Sequence, residues 1–250
     1  MTHRDESPVL YRPGRISHLV FNRPQVKNAL DADSWELLAD ALARFEKDPG
    51  ARVLVLSGTG GNFSSGADLA GGITKSADQV TAKMREVASI ILRLHTMPKP
   101  TVAKVDGVAV GVGMSLALGC DLVVASERAR FGAVFSRIGL TPDGGLSWLL
   151  PRVVGPHKAK ELTLLARLVH GHEARELGLA NLVVPADELD AAVEAWCERV
   201  AEVAPAAAEG TLEIIDASWE NTFAQALEHE AVTQRRAVAA RRGQADRPVG

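Results

Sequence analysis

The residues with the clearest chemical potential are the glycines of a turn that follows an apolar, strand-length run. Residues 101–105 form that run, and Gly111 and Gly113 follow at the start of a helix-like apolar stretch. The first N–H groups of a helix have no intrahelical partners, and together with the helix dipole they attract negative charge. Glycines let a ligand approach such a backbone closely. The pattern therefore indicates an anion-stabilising turn, although a tightly packed strand–helix junction would use the same small residues.

A second strand and turn of the same kind come earlier in the chain. The apolar run 53–57 leads into a loop that contains Ser65, Gly66, Ala67, Asp68 and Leu69. Together with Lys-Pro-Thr-Val-Ala-Lys-Val-Asp-Gly at 99–107 and Gly-Val-Gly at 111–113, this segment resembles the crotonase superfamily of enoyl-CoA hydratases and isomerases. The resemblance extends from about residue 9 to residue 185. Several motifs recur in the order typical of the family, which is far more specific than one glycine loop.

The resemblance implies an oxyanion hole, which is a pair of backbone donors for a developing negative charge. In the family, a thioester carbonyl oxygen gains charge as an enolate forms, and two N–H groups stabilise it. The donors implied here are the N–H groups of Ala67 and Val112. Val112 replaces a glycine that is common in the family. A backbone donor tolerates that side chain as long as its φ angle stays negative.

The resemblance also implies a site for coenzyme A. The backbone near Gln25 and Val26 would face adenine, and Lys27 would lie near phosphate, although a solvated lysine is at least as consistent with the sequence. The other residues implied to contact the substrate or its CoA moiety are Ser65, Gly66, Ala67, Asp68, Leu69, Gly111, Val112, Ser115 and Phe135. Coenzyme A is then part of the substrate, and we expect no separate cofactor.

The acid–base groups depart from the hydratase pattern. A hydratase needs two carboxylates to hold a water molecule and transfer a proton, and the corresponding positions are Ser115 and Phe135. Neither side chain can act as a carboxylate base. Because the loss of such assistance costs about 10²–10⁴ in rate per group, we do not expect efficient hydration of an enoyl-CoA.

One acid, Asp143, stands where hydratases commonly have a glycine. The run 138–152 around it resembles the epoxyphenylacetyl-CoA isomerase group. A single carboxylate beside an oxyanion hole can move a proton between carbons, because the same group can return it. This favours double-bond isomerisation, or isomerisation of an epoxide or oxepin type, with Asp143 as acid and base. Three alternatives remain: Asp143 only caps the following helix, the chain is a hydratase with atypical residues, or it binds acyl-CoA without turnover.

The elements that must position these groups alternate between strands and helices. At these lengths the pattern predicts parallel strands joined by right-handed crossovers. The resemblance implies an α/β fold with a layered β-β-α superhelical crotonase core over residues 1–185. It also implies a C-terminal helical oligomerisation region over residues 186–250, which we expect to form homotrimers or dimers of trimers.

Local signals predict where helices begin and which faces they bury. Asp33 and Glu36 resemble a capping box at the start of the first helix, and Asp187 is predicted to cap a later one. A further helix is predicted over residues 157–168. The helix over residues 77–95 is predicted to bury Val80, Met84, Val87, Ile91 and Leu94.

Composition limits the classes of function. The 250 residues are 46% hydrophobic and 24% charged, which is typical of a globular protein, and a net charge of -3 gives no electrostatic case for nucleic acid. Cys120 and Cys197 provide no disulfide framework. His170 and His172 could suggest two metal ligands, but the resemblance implies that they belong to a turn before a helix, with no metal. No apolar run is long enough to span a membrane and residues 1–6 lack a signal-peptide core, so we expect a cytoplasmic protein without a membrane partner.

Overall fold

The structure is a computed structural model that describes residues 7–70 and 77–245. Its strands are β1 (Val9–Arg12), β2 (Ile16–Phe21), β3 (Val53–Gly58), β4 (Thr101–Val105), β5 (Val108–Val110), β6 (Leu122–Ser126), β7 (Arg130–Gly132), β8 (Leu168–His170) and β9 (Leu182–Val184). Its helices are α1 (Ala32–Lys47), α2 (Ala77–His95), α3 (Val112–Leu118), α4 (Leu146–Val154), α5 (Pro156–Leu164), α6 (Gly171–Glu176), α7 (Leu189–Ala201), α8 (Pro205–Ala217) and α9 (Phe223–Ala245). The predicted mixed α/β fold is confirmed.

The larger sheet has the strand order β1-β2-β3-β4-β6-β9. All of its neighbouring strands are parallel except β1 and β2, which form an antiparallel pair. The parallel pairs agree with the crossover pattern predicted from the sequence, because consecutive parallel strands need a long connection between them. A smaller sheet, in the order β5-β7-β8, lies next to the glycine turn that begins α3.

Helices cover both faces of the larger sheet, and β3 shows how. Leu54 and Leu56 belong to a large core cluster that includes Trp35 and Leu38 of α1. The alternate residues of β3 belong to a second cluster, which contains Val53, Val55, Val102, Val124, Leu189, Val193, Cys197 and Ala201. Successive side chains of a strand point to opposite faces, so α1 and α7 cover opposite sides. This rigid sheet fixes the loops that follow β3 and β5.

Two predicted helix caps are wrong. The N-cap of α1 is Asp31, whose carboxylate accepts a hydrogen bond of 2.9 Å from the N–H of Ser34, so Asp33 already lies in the first turn. The N-cap of α7 is Glu188, and no side chain there makes a capping hydrogen bond, so Asp187 does not cap it. In both cases the helix begins one residue or more away from the residue that the local pattern favoured.

Two other predictions need correction. Val87, Ile91 and Leu94 of α2 are buried as predicted, but Val80 and Met84 are 37% and 39% exposed, because most residues in the first half of the helix lie outside the core. The helix predicted over 157–168 ends at Leu164, and residues 168–170 pair with β7 as a strand instead. Ala166 between them has a φ angle of 46°, which a right-handed helix does not allow.

The last two helices, α8 and α9, pack on each other. They and the turn between them expose large apolar side chains that are at least half accessible, namely Ile215, Trp219, Phe223 and Leu227. Across residues 7–70 and 77–245, no helix has the length and hydropathy needed to cross a membrane.

Candidate active site

The segment around Ala67 lies beside Leu30 as a short parallel bridge. The N–H of Leu30 donates to the Gly66 carbonyl at 2.8 Å, and the N–H of Asp68 donates to the Leu30 carbonyl at 2.9 Å. Because consecutive N–H groups of an extended segment point to opposite sides, the N–H of Ala67 points away from Leu30. It makes no hydrogen bond to another residue that the structure describes.

Val112 supplies a second free donor. It is the first residue of α3, so its N–H has no intrahelical acceptor, and none of the other described residues accepts from it. Within the described ranges, the non-glycine residues with a positive φ angle are Lys27, Asn28 and Ala166. Val112 is not among them, so its side chain adds no backbone strain.

Gly66 brings the two donors close together. Its φ angle is 94°, and a Cβ atom built on it would lie 2.9 Å from the Val110 carbonyl oxygen and 3.5 Å from the Val112 nitrogen. The backbone of residues 66–67 therefore packs directly against the backbone that enters α3, which a residue with a side chain would prevent. Two unpaired N–H groups lie next to each other at the N-terminus of a helix, and this arrangement can stabilise an oxyanion.

Asp143 is held against the first turn of α3. The hydroxyl of Ser115 donates to the main-chain carbonyl of Asp143 at 3.0 Å. Gly144 has a φ angle of 59°, and a Cβ on it would lie 2.9 Å from the Ser115 Cβ and 3.0 Å from Cγ2 of Val112. Val112 and Ser115 share one face of α3, because they are three residues apart. The turn that carries Asp143 therefore contacts the residue that supplies one of the two donors.

The Asp143 side chain is partly buried, and one of its carboxylate oxygens is buried without a partner. Its Oδ1 makes no hydrogen bond, and burial alone raises the pKa of Asp143 to about 6. The N-cap of α4 is Gly145, and no side chain makes a capping bond there. The interpretation of Asp143 as a helix cap is therefore wrong. Buried polar atoms are rarely left unpaired, and a carboxylate whose pKa lies near neutrality can accept and return a proton.

The two positions of the hydratase carboxylates are both buried. Ser115 has no solvent exposure and its hydroxyl is already bonded to Asp143, while Phe135 is 5% exposed in a short 3-10 helix, Val134–Ile138. The two positions where a hydratase needs carboxylates to activate water are therefore occupied by the apolar ring of Phe135 and by the Ser115 hydroxyl, which is already hydrogen-bonded.

The loop implied to bind coenzyme A borders this site. Gln25, Val26 and Lys27 are exposed around a short 3-10 helix, Pro24–Val26. The N–H of Ser65 donates to the Lys27 carbonyl at 2.8 Å, and the Ser65 hydroxyl donates to the Val26 carbonyl at 2.9 Å. The exposed loop is thus fastened to the segment that carries Gly66 and Ala67.

Two residues implied to contact the ligand instead use their polar groups within the protein. Asp68 accepts a hydrogen bond of 2.7 Å from Arg23, and its side chain is 18% exposed. The N–H of Gly111 donates to the Gly132 carbonyl at 2.9 Å. Leu69, which follows Asp68 in the chain, is 43% exposed. Sequence reasoning missed Arg23, because Asp68 lies 45 residues further along the chain and no local pattern connects the two.

A cavity of about 760 Å³ lies between α2, α4 and α8. Its walls include Ile91, His95, Gly145, Trp148, Leu212 and Asp216. Ile91 also packs on the Asp143 turn, since its Cδ1 lies 2.8 Å from where a Gly144 Cβ would be. The cavity therefore adjoins the turn without including Asp143. No group of three or more His, Cys, Asp or Glu residues in the described part of the chain could hold a metal ion.

Comparison with known proteins decides the family. The family model described as enoyl-CoA hydratase/isomerase matches residues 12–244. The chain belongs to the enoyl-CoA hydratase/isomerase family. A crystal structure of enoyl-CoA hydratase from Bacillus anthracis superimposes with a TM-score of 0.89 at 26% identity, and the match covers 93% of this chain and 91% of that one.

Two relatives represent different reactions within the enoyl-CoA hydratase/isomerase family. The crotonyl-CoA hydratase of Syntrophomonas wolfei is 34% identical over 185 residues, which are 74% of this chain and 71% of the relative. The 1,2-epoxyphenylacetyl-CoA isomerase of Escherichia coli is 38% identical over 154 residues, which are 60% of this chain and 59% of the relative. The predicted crotonase fold and superfamily are confirmed. The chain is an enzyme of a family that acts on acyl-CoA thioesters.

Proposed function

We propose that this enzyme isomerises an acyl-CoA thioester through an enolate, by moving a double bond or by an epoxide- or oxepin-type rearrangement. The observation that carries the proposal is the partly buried Asp143 carboxylate, which has one buried, unpaired oxygen and lies in a turn that packs on Val112, one of the two residues with a free N–H donor. A lone base next to an oxyanion hole fits proton transfer between carbons better than water addition, which needs a second acid.

In the proposed reaction, the thioester carbonyl oxygen accepts hydrogen bonds from the N–H groups of Ala67 and Val112. Each donor contributes about 3–4 kcal/mol as the oxygen gains negative charge, judged from oxyanion holes elsewhere. Ionised Asp143 takes a proton from the acyl chain, the carbon electron pair delocalises into the carbonyl, and Asp143 returns the proton to a carbon further along. Double-bond migration shifts a proton and an electron pair within the acyl chain, and an epoxide- or oxepin-type rearrangement redistributes ring bonds within it. Each is an isomerisation without a net change in oxidation level, so neither needs a redox cofactor.

Hydration remains the second candidate function. It is favoured by the name of the crotonyl-CoA hydratase from Syntrophomonas wolfei, which matches most of this chain. The residues at the site oppose it, since Ser115 and Phe135 provide no carboxylates and both are buried. Without these two carboxylates, water addition would be slow, and isomerisation would be the main reaction.

The decisive experiment compares the wild type with Asp143→Asn on 2-enoyl-, 3-enoyl- and dienoyl-CoA, followed by absorbance and mass spectrometry. We expect isomers of unchanged mass, and a fall of about 10²-fold or more in the variant because its base is lost. Asp40→Asn is a matched control, since the Asp40 side chain is 63% exposed on α1. Fast water addition to 2-enoyl-CoA, or a normal rate in Asp143→Asn, would contradict the proposal.

A non-catalytic acyl-CoA-binding protein would have the same donors and the same CoA loop. Calorimetry with acyl-CoA, paired with the turnover assay, separates this reading from catalysis. Tight binding without a product from any enoyl or epoxide thioester would favour the binding protein. Failure to bind any acyl-CoA would count against both.

We also propose that the chain assembles as a homotrimer or a dimer of trimers through its C-terminal helices. The support is the exposed apolar surface of α8, α9 and the turn between them, where Trp219 and Phe223 are 59% and 80% accessible. Monomeric proteins rarely expose large contiguous apolar patches. Light scattering at several concentrations should give a mass of three or six chains, and a monomer at all of them would refute the assembly.

A further inference from the structure

Arg23 lies where three segments of the chain meet. One guanidinium nitrogen, Nη1, donates to Oδ2 of Asp68 and to the Ala29 carbonyl, both at 2.7 Å. The other terminal nitrogen, Nη2, lies 3.3 Å from Oδ2 of Asp31, which is the N-cap of α1. Since α1 is anchored in the core through Trp35 and several leucines, the guanidinium connects the Ala67 loop to a rigid helix.

Asp68 is held by hydrogen bonds at its N–H and at both carboxylate oxygens. Its N–H donates to the Leu30 carbonyl at 2.9 Å, its Oδ1 accepts from the N–H of Ala70 at 3.0 Å, and its Oδ2 accepts from Arg23. On the other side of Ala67, the Gly66 carbonyl accepts from the N–H of Leu30. Ala67 therefore lies between two peptide groups whose orientations are both fixed by the 23–31 segment.

We propose that Arg23 and Asp68 are positioning residues, whose ion pair sets the direction of the Ala67 N–H toward the thioester oxygen. Asp68 then acts through Ala67 and does not contact the ligand. This inference rests on the oxyanion hole of the proposed function. An N–H that turns by even a few tens of degrees loses much of its hydrogen-bond strength, because the bond weakens steeply away from linearity.

The environment of the pair suits this role. The side chains of Arg23 and Asp68 are only 20% and 18% exposed, so solvent screens their attraction less than at the surface. Hydrogen bonds between charged groups are roughly twice as strong as neutral ones. The N–H of Ala70 and then Arg23 hold the pKa of Asp68 below its usual value. The pair thus stays ionised at the pH where Asp143 loses its proton.

Variants of the pair have different expected effects. Asp68→Asn keeps the shape but removes the charge, and we expect kcat for isomerisation to fall about tenfold with KM within about threefold, a part of the effect of deleting one oxyanion donor. Arg23→Gln should behave alike, and the double variant should be no worse than either one, since both remove one interaction. Arg23→Lys keeps the charge but lacks the planar guanidinium group, so its kcat should lie between those of the wild type and Arg23→Gln.

A spectroscopic readout separates positioning from stability. Butyryl-CoA, isotopically labelled at its thioester carbonyl, binds without a double bond to move, and its infrared C=O band reports polarisation by the hole. In the wild type the band should shift to lower frequency than in free butyryl-CoA, and in Asp68→Asn the shift should shrink. A residue that only stabilised the fold would leave the band of the folded protein unchanged.

Arg15→Gln is the matched control. Arg15 pairs with Glu198 at 2.5 Å just before β2, whereas Arg23 follows the same strand. At about 3.3 Å per residue, the six residues of β2 put Arg15 roughly 20 Å from the site. This variant can lower the melting temperature, but it should change neither kcat nor the carbonyl band.

A full band shift and normal kcat in both Asp68→Asn and Arg23→Gln would overturn the inference. If wild-type enzyme bound butyryl-CoA without any shift, the oxyanion hole would be wrong and the inference with it. A shift that persists alongside normal isomerisation in Asp143→Asn would instead contradict only the proposed base. The two failures are therefore distinguishable.

Discussion

The two sides of the site are built in opposite ways. On the donor side, the backbone around Ala67 is fixed by hydrogen bonds to Leu30 on both flanks and by the Arg23–Asp68 pair. On the acid side, Asp143 has an unpaired carboxylate oxygen, and no charged group contributes to its raised pKa. The comparison teaches that a hydrogen-bond donor needs a fixed direction, whereas a carboxylate base needs a pKa near neutrality. Hydrogen-bond donors or cations beside the carboxylate would lower that pKa.

The largest effect should come from adding a side chain at Gly66, where the backbone of the Ala67 loop packs against the backbone that enters α3. In Gly66→Ala, the new Cβ would lie 2.9 Å from the Val110 carbonyl oxygen at a φ angle of 94°, so the loop must move away from α3. We expect kcat to fall by about 10²-fold or more, because the two donors no longer converge. Steady-state kinetics measures this directly.

Gly139→Ala controls for backbone strain alone. Gly139 also has a positive φ angle, 71°, but a Cβ there would have nothing within 4 Å. This variant should lose stability on the order of 1 kcal/mol and keep its kcat. Equal losses of kcat in both glycine variants would show that the approach of residue 66 to Val110 is not what matters.

On the acid side, the pH dependence tests the unpaired carboxylate. With a pKa raised to about 6 by burial, Asp143 is ionised above that pH and protonated below it. Because the base must be ionised, kcat/KM should fall about tenfold per pH unit below pH 6 and level off above it. A profile that is flat from about pH 5 to pH 8 would exclude a base with this pKa.

The same burial predicts a cost in stability. The folded-state pKa of Asp143 is about 6 and the usual value is 3.8, so the folded state binds this proton more tightly than the unfolded state. The tighter binding of this proton stabilises the folded state fully below pH 3.8, and that stabilisation is lost as the pH rises through 6. Ionised Asp143 therefore destabilises the fold by about 2 kcal/mol at pH 8, since one pKa unit corresponds to about 1.4 kcal/mol and the group is partly solvated.

Asp143→Asn should remove this cost. We expect its free energy of unfolding to exceed that of the wild type by about 2 kcal/mol at pH 8, with no difference below about pH 4. Denaturant titrations at both pH values measure it. Asp121, whose pKa is also raised to about 6 by burial, is present in both proteins and cancels in the difference. A variant less stable than the wild type at pH 8 would mean that Asp143 is better satisfied than its contacts indicate.

The smallest effect should come from the bond that joins the two sides. Ser115→Ala removes the hydroxyl that donates to the Asp143 carbonyl at 3.0 Å, which should cost about 1 kcal/mol of stability and lower kcat a few-fold. Ser89→Ala is the matched control, because Ser89 is exposed and donates to the Glu86 carbonyl within α2. Equal effects of the two substitutions on kcat would show that the Ser115 hydroxyl has no specific role in catalysis.

The sequence predicts whole strands and helices better than it predicts their exact ends or contacts between distant parts of the chain. The bounds of β4 and α2 were predicted correctly, because apolar periodicity over neighbouring residues determines them. The caps at Asp33 and Asp187 were not, because the neighbouring Asp31 and Glu188 begin the helices instead. Differences of one or two residues at a helix end are beyond the resolution of pattern reasoning.

The site shows the same division. The resemblance named Ala67, Val112 and Asp143, and the structure places all three near the N-terminus of α3. The 45-residue separation between Arg23 and Asp68 made their ion pair invisible to any local pattern. The unpaired oxygen of Asp143 could not be predicted either, because it depends on whether the fold places a hydrogen-bond donor next to that oxygen.

The placement of α7 has a consequence for the newly made chain. The valines of β3, β4 and β6 on one face of the sheet are covered by Leu189, Val193, Cys197 and Ala201, which are synthesised after every strand. While the ribosome is still making residues 186–201, the completed strands present an apolar face that nothing else in the second core cluster covers. Premature termination before residue 189 would leave that face open, so truncated chains should aggregate or recruit chaperones even though their entire sheet is present.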